Sequence, residues 1–134
     1  MKKPSASAIV DVEPHVAPPP SWRRLAEEFP ALSDAYDGLS EVCRRGGPLE
    51  ETTVALVKLA VSVGLHAERT THAHAKKALR SGADPAALRQ IALIALPTVG
   101  LPAALDALQW IDESIREERT CRDEVTAHGA RNHR

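Results

Sequence analysis

The chain has 134 residues, a net charge of −1 with histidine neutral, 43% hydrophobic residues and only 3% aromatic ones. A near-neutral chain without interleaved basic and aromatic residues has no electrostatic footprint for nucleic acid. No apolar run approaches about 18 uncharged residues, so nothing in the sequence spans a membrane.

The length fits one domain. The apolar mass is Ala, Leu and Val, with Trp22, Phe29, Tyr36 and Trp110 as the whole aromatic set. Small side chains favour helices that approach one another closely over a sheet sandwich. Cys43 and Cys121 are too few and too far apart to make a disulfide framework.

Residues 1–20 are rich in Pro, Ser, Ala and Val, end in Pro18-Pro19-Pro20, and read as a flexible N-terminal arm. Lys2 and Lys3 are followed by Asp11, Glu13 and Pro14, which interrupt any signal-peptide core. A cytoplasmic protein is expected. A single helical domain over residues 21–119 and a polar C-terminal tail over 120–134 complete the expected organisation.

Ser21 suits the N-cap of a first helix through Trp22, Leu25 and Phe29, and Pro30 ends it or begins the next. A second helix runs from Ser33 to about Arg45, with Ala35, Leu39, Val42 and Cys43 on one side, until Gly46-Gly47-Pro48 breaks the chain. Glu50 to about Val63 forms a third helix that is apolar on most sides and therefore buried on most sides. A bend at Gly64 or Leu65 leads to a fourth helix ending at Arg80, with Gly82 as its C′ residue. Asp84-Pro85 is an N-cap followed by Pro at N1, and Pro97 ends the fifth helix. The sixth opens at Gly100-Leu101-Pro102, presents Leu101, Leu105, Leu108 and Ile111 as its apolar stripe, and continues to about Arg119. No strand pattern is visible.

His66, His72 and His74 cluster around the fourth helix. On a wheel of about 100° per residue, His74 shares the small-residue face with Ala67, Thr71 and Ala78, with Thr70 at its edge. His72 points about 160° away, beside Glu68 and Lys76, and pairs with Glu68 at i,i+4 on the surface. His72 and His74 cannot ligate one ion from a straight helix, and no other spacing supports a metal site. His74, directed inward among Ala and Thr, is either an acid/base group in a small pocket or a core histidine hydrogen-bonded to Thr70, Thr71 or a backbone carbonyl.

The stretch from Leu49 to Asp112 resembles the carboxymuconolactone decarboxylase family, which includes the alkylhydroperoxidase D-like proteins. The resemblance rests on the ALVKLAVSVGL helix, the HAKKALRSGADPAALRQIALIAL run and the later GLPAALDAL. It implies an all-α, alkylhydroperoxidase D-like bundle of about six helices, assembled as a homo-oligomer, a trimer or a hexamer. Redox members carry a Glu, a Cys-x-x-Cys and a His four residues beyond the second Cys. Aligned on Gly82, those positions fall on Ala55, Ala67, Thr70 and His74, so only the histidine matches. Ala and Thr can neither attack a peroxide bond nor resolve a sulfenic acid.

By this resemblance the protein is a non-redox acid/base enzyme of the decarboxylase or isomerase type. His74 acts on a small organic acid, Thr70 and Thr71 contact the substrate, and no cofactor or metal is required. The alternatives are a catalytically inactive oligomeric binding or assembly module and, least favoured, a peroxiredoxin-type antioxidant using Cys43.

Overall fold

The computed structural model describes residues 17–131. Its elements, all helices among the described residues, are α1 (Pro20–Glu28), α2 (Pro30–Arg45), α3 (Glu51–Gly64), α4 (Glu68–Arg80), α5 (Pro85–Val99) and α6 (Leu101–Arg131). This is the expected six-helix, all-α architecture. The expected N-terminal arm lies almost wholly outside the described residues.

Local chemistry sets most of the boundaries. Pro19 rather than Ser21 caps α1, because Pro20 already supplies a helical φ at the first position. Asp84 accepts a 2.8 Å hydrogen bond from the Ala86 amide and caps α5, with Pro85 at N1. After α4, Gly82 adopts φ +96°, its amide bonds to the Leu79 carbonyl, and the Ala83 amide bonds to the Ala78 carbonyl. That is the paired-bond ending in which a left-handed residue satisfies the last carbonyls. The end of α3 repeats the pattern with His66 at the left-handed position, φ +50°. Its amide bonds to Val63, and the Ala67 amide to Ser62.

Two boundaries differ from the sequence reading. Pro97 lies inside α5, which continues to Val99. Near the end of a helix a proline forfeits one hydrogen bond without a long stretch beyond it to disrupt. α6 passes Arg119 and runs to Arg131 as a 31-residue helix. Its last turns are exposed, so charged residues with good helix propensity extend it without burial.

Helices α3 to α6 form the body. α3 packs on α4, α4 on α6, α6 on α5 and α5 on α3, a ring of four neighbours. The Thr52 hydroxyl donates 2.9 Å to the Ser81 carbonyl, which ties the start of α3 to the end of α4 and makes the pair antiparallel. α4 and α6 run parallel: His66 meets Asp106 at one end, and Arg80 meets Glu118 at the other.

The core contains Leu59, Val63, Leu79, Leu88, Ile111 and Ile115, with Ala75, Ala78, Ala83, Ala92 and Ala107 between them. Alanines at the crossings let the helices approach closely, as the composition implies. On α6 the inward face is Ala104, Ala107, Ile111, Ser114 and Ile115. Leu101 and Leu105, expected on the buried stripe, are instead exposed, because the small residues of the adjacent stripe allow tighter contact with α4 and α5.

α1 and α2 form a separate hairpin. Trp22 packs on Tyr36 with ring centroids 5.0 Å apart. Ser33 is the one buried residue of α2. The sequence-derived side of α2 carrying Leu39, Val42 and Cys43 faces solvent.

Candidate functional site around His74

α4 is the central helix of the site because it packs on both α3 and α6. Its inward face is Thr71, Ala75, Ala78 and Leu79. His74 sits at the edge of this face and is half-buried. Its Nδ1 is buried and has no hydrogen-bond partner among the described residues; the same holds for Thr71 Oγ1, one turn earlier on the helix. His74 is therefore not the satisfied core histidine that the sequence left open. Buried polar groups are nearly always paired, and each unpaired one costs about 1–3 kcal/mol.

The His74 pKa is lowered to about 4, first by burial and then by the positive charges of Lys77 and Lys58. At neutral pH the ring is uncharged, with one nitrogen able to accept a proton and the other able to donate one. Arg80 is held by Glu118 in a fork, Nε to Oε2 at 3.0 Å and Nη2 to Oε1 at 2.7 Å. The cations that act on His74 are Lys58 on α3 and Lys77 on α4. Lys77 is at i+3 from His74 and was legible from helical spacing. Lys58 was not, since its position depends on the α3–α4 crossing.

The other candidates occupy different places. Thr71 is fully buried, whereas Thr70 is exposed. His72 does not pair with Glu68. The Ser114 hydroxyl donates to the Trp110 carbonyl and accepts from His72 Nδ1 at 2.9 Å, and His72 Nε2 faces Glu113 at 3.4 Å. Packing against α6 turns the ring away from its own helix, which a single-helix wheel cannot register. His66 Nε2 lies 2.9 Å from Asp106 Oδ2, and its ring packs at a tilt against Trp110. The three histidines thus face three different sets of partners. Among the described residues no group of three His, Cys, Asp or Glu side chains is placed to hold a metal ion.

Ala55 and Ala67 offer no functional group. Cys43 and Cys121 are both free and exposed, on α2 and α6 respectively. Cys43 lines a cleft of about 230 Å³ with Leu49, Val54, Val57 and Lys58. His74 does not line this cleft; Lys58 is the residue that belongs to its wall and also acts on His74. No described helix is long and apolar enough to cross a membrane.

A family model described as carboxymuconolactone decarboxylase family matches residues 30–113. The match begins with α2 and ends within α6, so it takes in α2 as well as the four-helix body. No curated protein and no solved structure matches the chain. With well over half of its length matched and an all-α bundle of six helices, the chain belongs to the carboxymuconolactone decarboxylase family.

Proposed function

We propose that the protein is a non-redox acid/base enzyme of the decarboxylase or isomerase type acting on a small organic acid, with His74 as the proton-transfer group. The observation that carries this reading is a buried, unpartnered Nδ1 on an imidazole held neutral beside two lysines. Lys58 and Lys77 supply the positive charge that a substrate carboxylate needs. His74 takes a proton from the carbon next to a carbonyl; the C–H electron pair forms a C=C bond as the carbonyl π pair moves onto oxygen, giving an enolate. The Thr71 hydroxyl, having no partner among the described residues, donates to that oxygen, while the exposed Thr70 contacts the substrate.

In an isomerisation the imidazolium returns the proton to a different carbon. In a decarboxylation the C–C bond to the carboxylate breaks, CO2 leaves, and a proton drawn from water through the imidazole replaces it. A bound carboxylate offsets the two lysines and raises the ring's basicity when the substrate is present.

The test is proton NMR in D2O with a panel of γ-lactone carboxylic acids and oxo acids. The expected result is deuterium incorporation or CO2 release by the native protein, lost in His74→Ala and kept in Cys43→Ser. Turnover unchanged in His74→Ala overturns the reading.

A second reading, a catalytically inactive oligomeric binding or assembly module, is favoured by Ala55, Ala67 and Thr70 standing where redox relatives carry Glu and Cys. It is also favoured by a cleft that His74 does not line. No turnover across the whole panel is its expected outcome. The antioxidant alternative has least support, because Cys43 lies on α2 and Cys121 on the exposed part of α6, with no Cys-x-x-Cys.

A further inference from the structure

The cleft between α2 and α3 combines apolar walls with a cation that has no partner. Leu49 lies just before α3, Val54 and Val57 stand three residues apart on one side of that helix, and Cys43 lines the cleft from α2. Leu49 and Val57 are about half exposed, so an apolar occupant removes surface from water that the fold leaves open.

Two cations line the same cleft, and they differ. Arg44 bonds Glu41 on its own helix and reaches Glu51 Oε1 on α3 at 3.3 Å, so its charge is neutralised. Lys58 is half-buried, and its ammonium has no ion pair or hydrogen bond among the described residues. No carboxylate lines the cleft. The complement to this surface is an apolar body carrying one negative charge.

The lining narrows the class further. No hydroxyl, carboxamide or aromatic side chain is present, so a sugar or a flat ring finds nothing to orient it. A volume of about 230 Å³ holds roughly eight methylene-sized groups at about 30 Å³ each. An unbranched alkyl chain of that length, ending in a carboxylate, meets both requirements.

We propose that this cleft binds a medium-chain monocarboxylic acid, its alkyl chain on Leu49, Val54 and Val57 and its carboxylate paired with Lys58. Occupancy is felt at His74. Lys58 is one of the two lysines whose charge acts on that ring, so a carboxylate held on Lys58 weakens the positive field there. The chain acid is an effector that competes for Lys58 with any acid bound at His74. Binding in the cleft does not depend on His74 being catalytic, and its test needs no turnover.

The two thiols give that test an internal control. Both are free and exposed, but only Cys43 lines the cleft. The full chain is treated with N-ethylmaleimide, and alkylation of each cysteine is followed by peptide mass spectrometry. Sodium octanoate at about four times its Kd is expected to slow Cys43 roughly fivefold and leave Cys121 unchanged. From butanoate to octanoate, the concentration that half-protects Cys43 is expected to fall roughly two- to fourfold per methylene.

In Lys58→Gln, octanoate is expected to protect roughly tenfold more weakly, and Lys58→Arg to restore protection, with helical circular dichroism unchanged in both. On the native chain, 1-octanol is expected to show the same weakening without any substitution. Equal protection by 1-octanol and octanoate, equal slowing of both thiols, or no protection of Cys43 overturns the proposal. So does a Cys43 that maleimide cannot reach in the native protein, because the cleft is then closed.

Discussion

Thr71 Oγ1 and His74 Nδ1 lie one helical turn apart on α4, both buried and both without a hydrogen-bond partner among the described residues. A fold that needed only packing here would be better served by apolar groups. Thr71→Val keeps the shape and removes one unpaired hydroxyl. It is expected to leave stability unchanged or raise it by up to about 1 kcal/mol in urea unfolding, while lowering any His74-dependent turnover. A loss of stability beyond about 1 kcal/mol means that the hydroxyl has a structural partner.

The lowered pKa of His74 makes stability depend on pH in a definite direction. The ring is neutral in the fold and protonates at about 4, against 6.5 for an unperturbed histidine. The contribution of the neutral ring is fully present above about 6.5 and is lost as pH falls from there through about 4. Thermal unfolding midpoints are expected to fall over that window, and to fall less in His74→Gln, which has no group titrating there. Parallel curves for the two proteins contradict this.

His66 holds a left-handed backbone position that glycine takes without strain. Its Asp106 bond and its tilted packing against Trp110 offset that strain. His66→Ala keeps the strain and loses both contacts; His66→Gly loses the contacts and relieves the strain. Ala is expected to be the less stable variant by about 1 kcal/mol, measured by denaturant midpoints. Equal stabilities rule out a strained corner.

The seam between α4 and α6 puts cations on one helix and carboxylates on the other: Lys76 with Glu117, and Arg80 with Glu118. The two pairs differ in burial. The Glu118 side chain is 12% exposed and Glu117 57%. Glu118→Gln is expected to cost about 1–3 kcal/mol, because a forked and largely buried bond is broken. Glu117→Gln is expected to cost less than about 1 kcal/mol. A double comparison by urea unfolding, repeated at high salt, separates them.

The helices were legible because their punctuation is local. Gly46-Gly47-Pro48, Gly82 and Asp84-Pro85 act through φ, a missing amide and a single side-chain bond, all of which the sequence displays. The inward direction of His74 followed from helical spacing alone. The turning of His72 toward Ser114, the presence of Lys58 near His74 and the exposure of Leu101 and Leu105 all depend on how helices cross. A wheel drawn for one helix contains no neighbour. The side of α2 carrying Leu39, Val42 and Cys43 shows the same limit from the other direction: periodicity marks it as apolar, and only the packing reveals that it faces solvent.

The most direct measurement is a side-chain carbon and nitrogen NMR titration of the histidines, with His74 identified by its loss in His74→Gln. The expected result is a ring that stays neutral down to pH near 4 and titrates higher when a small organic acid is added. A His74 that titrates in the ordinary imidazole range, and does not respond to any acid in the panel, contradicts its role as the poised acid/base group of this site.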